Sequence, residues 1–120
     1  MKLKFRAWHK PSKKYLEILQ LHHNEGGIFA YTLADEMEQI NAFKDQVDIE
    51  LCIEERDKNE KEIYEGDVVK TDEGNWIAIV VFDFGMFLCI DRLGGFSSSC
   101  EWKKFEVLGN IHENLDLLAT

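Results

Sequence analysis

The chain has 120 residues, 45% of them hydrophobic and 31% charged, and a formal net charge of −9. That is apolar mass for one core, too little length for two ordinary domains, and no run near the ~18 consecutive apolar residues of a membrane helix. The charge is unevenly placed: residues 1–14 carry Lys2, Lys4, Arg6, Lys10, Lys13 and Lys14 and no acid, whereas the rest sums to −15. An acidic body repels a polyanion over a Debye length of ~8–10 Å, which disfavours nucleic acid everywhere except at the N-terminal edge.

At that edge Leu3, Phe5 and Ala7 alternate with Lys2, Lys4 and Arg6. Period two predicts a strand with one face in the core and one cationic face, and the absence of an apolar h-region argues against a signal peptide. The turn around the single proline, Pro11, leads into a second strand at Tyr15–Leu21, and Asn24–Gly27 turns the chain into a third at Ile28–Tyr31. A short helix is predicted over residues 33–45. Thr32 and Asp35 form a capping-box pattern, Leu33, Met37 and Ile40 recur at i, i+4 and i+7, and Lys44 suits the C-terminal dipole.

Val47, Ile49, Leu51 and Ile53 then alternate with polar residues as a half-buried strand. Residues 54–62 form a charged turn without an apolar residue. From Ile63 onward short strands are predicted at 67–71, 75–82, 86–91 and 101–108. They are separated by Asp72-Glu73-Gly74, Asp83-Phe84-Gly85 and Leu93-Gly94-Gly95. Short strands spaced by 8–12 residues indicate a small barrel or sandwich. The tail at 114–118 is predicted to make one helical turn that packs Leu115 and Leu118 onto the body. The whole reads as one β-rich α+β domain, with sub-lobes at about 1–53 and 62–120.

Chemistry-bearing patterns are few. Cys52, Cys89 and Cys100 are odd in number and lack CxxC spacing, which fits reduced thiols in a cytoplasm. The carboxylates between Glu54 and Asp67 lack calcium-loop spacing and are interleaved with Arg56, Lys58 and Lys61, as on a solvated face. His22-His23 is adjacent, so the two rings of a strand point apart and make a poor zinc pair. Ser97-Ser98-Ser99-Cys100 is not a nucleophile elbow, and Gly94-Gly95 lacks the Lys-Ser/Thr of a phosphate loop. No catalytic residue, cofactor or metal is predicted.

Three segments carry a resemblance. They are Leu3-Lys4-Phe5-Arg6-Ala7-Trp8, then Asp57-Lys58-Asn59 with Lys61-Glu62-Ile63-Tyr64-Glu65-Gly66-Asp67-Val68-Val69-Lys70, and finally Val107-Leu108-Gly109-Asn110-Ile111-His112-Glu113-Asn114. In this order and spacing the chain resembles the YopX family of phage and prophage proteins. The resemblance implies a mainly β fold with an SH3-like small barrel in the C-terminal half, and N-terminal antiparallel strands with one short helix. It implies no catalytic residues. Glu60 stands where the family usually has glycine, and Leu115 where proline is common. Tyr64, Gly66, Asp67, Gly109 and Asn110 read as structural. Gly66 is expected to admit a kink, Asp67 to cap the turn, and Tyr64 to bury its ring.

The expected function is that of a non-enzymatic accessory protein, cytoplasmic in a bacterial host, that binds another protein of host or phage and forms a homo-oligomer. The candidate surface is Lys2, Lys4, Arg6, Trp8, Lys13 and Lys14; for Trp8, on the cationic face, structural burial is favoured over stacking on a base or anchoring an interface. Two alternatives stand beside it: nucleic-acid binding through the same basic strand, and an acidic surface that mimics DNA. No membrane partner is expected.

Overall fold

The computed structural model describes residues 4–71 and 76–119. Eleven strands make up the described chain: β1 (Phe5–His9), β2 (Lys14–Asn24), β3 (Gly27–Asp35), β4 (Glu38–Phe43), β5 (Val47–Arg56), β6 (Glu62–Tyr64), β7 (Asp67–Lys70), β8 (Ile77–Asp83), β9 (Met86–Ile90), β10 (Phe96–Ser97) and β11 (Glu106–Asn110). The only helical pieces among the described residues are 3₁₀ turns at Lys44–Gln46, Trp102–Lys104 and Leu115–Ala119. The fold is mainly β, as the alternating patterns require. Contacts divide it into two units, Phe5–Glu50 and Met1–Lys4 with Leu51–Thr120, and the division falls inside β5.

In the unit Phe5–Glu50 the strands follow the hydrogen-bonded order β4-β3-β2-β1, with the first half of β5 beside β1. One face buries Ala7, Leu16, Tyr31, Leu33, Ala42 and Val47, with Ile18, Ile40 and Ile49 packed against them. Two bulges interrupt the β2–β3 ladder, where Leu19 and Phe29 are the extra residues, and both are exposed.

The helix predicted over 33–45 is instead the β3–β4 hairpin followed by one 3₁₀ turn. The apolar spacing that suggested a helix is met by the hairpin as well, because Leu33 and Ile40 face each other directly across the ladder. Met37, the middle of the supposed stripe, sits at the turn and is 99% exposed. Glu36 takes a φ of 56° there. A sheet already three strands wide offers Ile40 and Ala42 a core, and that burial outweighs a weak helical preference.

The other unit holds a five-stranded antiparallel sheet in the order β10-β9-β8-β7-β11, and β6 lies on the second half of β5. Ile63, Val69, Ala78, Val80, Cys89 and Phe105 form its core, with Trp76 and Trp102 at the margin. Phe84 (φ 52°) and Gly85 (φ 74°) turn β8 into β9, as the Asp83-Phe84-Gly85 pattern predicted. No closed barrel forms among the described residues: β10 and β11 remain two ends of an open sheet. The tail does make a helical turn, but Leu115 is exposed rather than packed, while Leu118 is half-buried. The turn predicted at Asp72-Glu73-Gly74 lies outside the described residues.

Candidate functional site

The cationic N-terminal segment is bound up within its own chain. Lys4 Nζ meets both oxygens of Glu62, at 2.7 and 2.9 Å. That hydrogen bond raises the lysine's pKa and holds the Glu62 carboxyl below its usual range. Arg6 Nε donates to Glu50 Oε1 at 2.8 Å, Lys14 Nζ lies 3.2 Å from Asp35, and Lys10 Nζ lies 3.6 Å from Asp48. Lys13 is exposed in a turn with φ 56°, and Lys2 lies outside the described residues. Opposite charges across neighbouring strands cancel much of the +6 that the sequence displays.

Trp8 takes the buried place that its residue type favoured over an exposed stacking role. It is 6% exposed and packs edge-on against Tyr15, with ring centroids 4.9 Å apart. Phe5, predicted to be in the core, is 47% exposed, whereas Ala7 is buried as expected. The reason is visible in Glu50, which the alternation of β5 had assigned to solvent. Its carboxylate is buried and accepts from Arg6 and from the Tyr15 hydroxyl at 2.8 Å, while the guanidinium lies over the Tyr15 ring. This polar–aromatic cluster covers the sheet face that carries Trp8. Glu50, 35 residues or more from its partners in sequence, completes it, so no local motif announces it.

The family-pattern residues form the second constellation, and each has a backbone task. Asp57, 3% exposed, accepts N–H bonds from Asn59 and Lys61 through Oδ1 and from Val107 through Oδ2, all at 2.8–2.9 Å. Burial opposes its ionisation, but the donors from Val107, Lys61 and Asn59 outweigh it and lower the pKa. Those bonds hold a turn in which Glu60 has φ 64°. The glycine-type backbone is therefore kept here by a glutamate. Asp67 Oδ2 accepts the Tyr64 N–H at 2.8 Å, which makes Asp67 the turn cap that was predicted. Gly66, with φ 90°, exchanges backbone bonds with Val80 and Ile111, and Tyr64 is half-buried. Asn110 Oδ1 accepts from His112 and Glu113, and Asn114 Oδ1 accepts the Asn110 N–H. A Cβ on Gly109 would collide with the Asn114 side chain, which explains the glycine beside that loop.

Burial raises the pKa of Cys52, Cys89 and Cys100, which disfavours the thiolate that nucleophilic attack needs. Among the described residues no group of three or more His, Cys, Asp or Glu is placed to hold a metal ion. An open concavity is lined by Trp76, Phe105, Thr71, Ser97, Ser99 and Lys104. No described helix is long and apolar enough to cross a membrane.

With this geometry in hand, comparison with known proteins is informative. The family model described as YopX protein matches residues 4–119. The chain belongs to the YopX family. Among solved structures it is similar to protein EF1440 from Enterococcus faecalis, at 22% identity and a TM-score of 0.67, covering 98% of this chain and 99% of that one. It is also similar to protein yopX from Bacillus subtilis, at 19% identity and a TM-score of 0.64, covering 94% and 95%. No curated protein matches by sequence. In this chain Asp57, Gly66, Asp67, Gly109 and Asn110 shape turns through their hydrogen bonds and close contacts. Sequence reading had singled out all but Asp57 as structural, and had placed Asp57 on a solvated charged face.

Proposed function

We propose that this YopX-family chain is a phage- or prophage-borne accessory protein without enzymatic activity, acting in the cytoplasm by binding another protein and by self-association. One observation carries the reading. Leu21, Ile28, Phe29 and Phe43 are each 39–67% exposed, and the ladder places all four at the same end of the β2-β3-β4 sheet, with Leu21 on the face of Tyr31 and Ala42 and Phe43 on the opposite face. Large apolar groups gathered at one end of a small domain mark a contact surface more often than scattered ones do. The odd number of free cysteines fits a reducing compartment. The β7-β8-β9-β10 meander, closed off by a 3₁₀ turn and by β11 beside β7, supports an SH3-like reading of the C-terminal sheet.

Self-association is tested by sedimentation equilibrium from micromolar to millimolar protein. The expected result is a mass that rises with concentration; a monomer of 14.0 kDa throughout removes this part of the proposal. The nucleic-acid alternative is weakened by the carboxylates facing Lys4, Arg6, Lys10 and Lys14. Anisotropy titration of labelled single- and double-stranded DNA at low salt is expected to show no binding. Binding there that weakens steeply with salt would restore that alternative.

A further inference from the structure

We infer that β4 is a pairing edge through which two copies of this chain join their β4-β3-β2 sheets antiparallel. The inference rests on the self-association proposed above and replaces the basic N-terminal segment with a different surface. The two sheets have four end strands among the described residues: β4, β6, β10 and β11. An end strand presents unpaired backbone groups, and proteins blunt it with shortness, bulges, proline or lysine. β6 has three residues and β10 has two. β11 is irregular between Val107 and Gly109. β4 has none of these protections. Its six residues, Glu-Gln-Ile-Asn-Ala-Phe, pair with β3 without a register shift and contain one charge, Glu38. One of its backbone groups is already engaged, because the Phe43 N–H donates to Gln46 Oε1 at 3.0 Å.

The occupant follows from charge and face. Glu38 opens the strand and Lys44 follows its last residue, and both are exposed. Antiparallel pairing about a two-fold axis puts the start of one copy's β4 beside the end of the other's, so the two charges meet twice. The faces must also match. Ile40 packs on the core side and Asn41 pairs with Thr32 on the other side. A continuous sheet therefore needs a residue of β4, not a gap between two, opposite its own copy. Centring on Asn41 sets Ile40 opposite Ala42, Gln39 opposite Phe43, and Glu38 opposite Lys44. Centring on Ile40 instead sets Lys44 opposite Glu36, which lies in the turn outside the strand. The Asn41 register sets Glu38, in the strand, opposite Lys44, the residue just after it, joins opposite charges rather than Lys44 with a residue of the β3–β4 turn, and covers Phe43, which is 67% exposed.

The test is a charge swap read by sedimentation equilibrium, with circular dichroism to verify folding. Glu38→Lys and Lys44→Glu each place like charges opposite each other at two symmetric positions and are expected to weaken dimerisation by about tenfold or more. The double variant is expected to restore the wild-type dimer. A wild-type dimer that both single variants leave unchanged overturns the β4 edge and leaves self-association standing. Single variants that weaken the dimer with no restoration in the double variant overturn the Asn41 register and the pairing proposed on it. A wild-type monomer at all concentrations removes both.

Discussion

The two units of this chain differ in how most of their buried polar groups are used, although Lys4–Glu62 and Trp76–Asp91 pair side chains in one and Gln46 holds the Phe43 N–H in the other. In the unit of Met1–Lys4 and Leu51–Thr120, carboxylates and amides hold backbone N–H groups of turns: Asp57 holds three, Asn110 two, and Asp91 those of Leu93 and Gly95. In the unit Phe5–Glu50, side chains hold other side chains across strands. Arg6, Tyr15 and Glu50 form one such set. In another the Thr32 hydroxyl donates to Asn41 Oδ1 and lies 2.8 Å from His22 Nε2. A carboxylate that holds its own turn acts over two to four residues and leaves a local motif, although Asp57 also reaches the Val107 N–H of β11. A cross-strand cluster leaves none, because its members are chosen by register.

The comparison is testable through stability. Asp57→Ala takes the acceptor from three N–H groups, those of exposed Asn59 and Lys61 and of half-buried Val107, and is expected to cost about 3 kcal/mol in urea unfolding. Glu50→Ala leaves one guanidinium and one hydroxyl to find water, and is expected to cost about 2 kcal/mol. If Glu50→Ala proves the more damaging, the contrast between backbone-holding and side-chain-holding carboxylates fails.

Acid sharpens the same contrast. Asp57, Glu62 and Asp91 all have folded pKa values held below the ordinary carboxylate range. For Asp91 the Trp76 indole N–H bond is the leading cause, and for Glu62 it is the Lys4 bond. Their contribution to stability is thus fully present above the unfolded values near ~4 and is lost as pH falls through the folded ones. The melting temperature is expected to stay level from pH 8 to about pH 5 and to fall below about pH 4. The advantage of wild type over Asp57→Asn should shrink over that same fall. An advantage that persists unchanged at about pH 2, below most native carboxylate pKa values, would show that charge on Asp57 contributes nothing. The smallest effect belongs to Lys14→Ala, whose exposed pair with Asp35 is worth about 0.5 kcal/mol, near the limit of a denaturation curve.

Much of the molecule was legible in advance, and the reasons differ by element. The Asp83-Phe84-Gly85 hairpin, the cap at Asp67 and the kink at Gly66 depend on backbone conformations that specific residues favour, so they are readable one residue at a time. The β3–β4 hairpin was not, because Leu33 and Ile40 share a face in a helix and in a hairpin alike. Phe5 was misplaced for a related reason: alternation on β1 marks two faces but does not say how far each of them is covered. Glu60 shows a third limit, since a left-handed turn held by Asp57 does not need the glycine that usually signals it.

By itself the sequence determined the β-rich class, the YopX membership and the turns whose residues carry their own conformational preference. Tertiary structure decided which charges are neutralised, that Glu50 and Trp8 are buried, and that β4 is left as an unprotected edge. Local preference acts between neighbours along the chain. Burial and ion pairing act between strands, and which strands become neighbours is settled only when the sheet has formed.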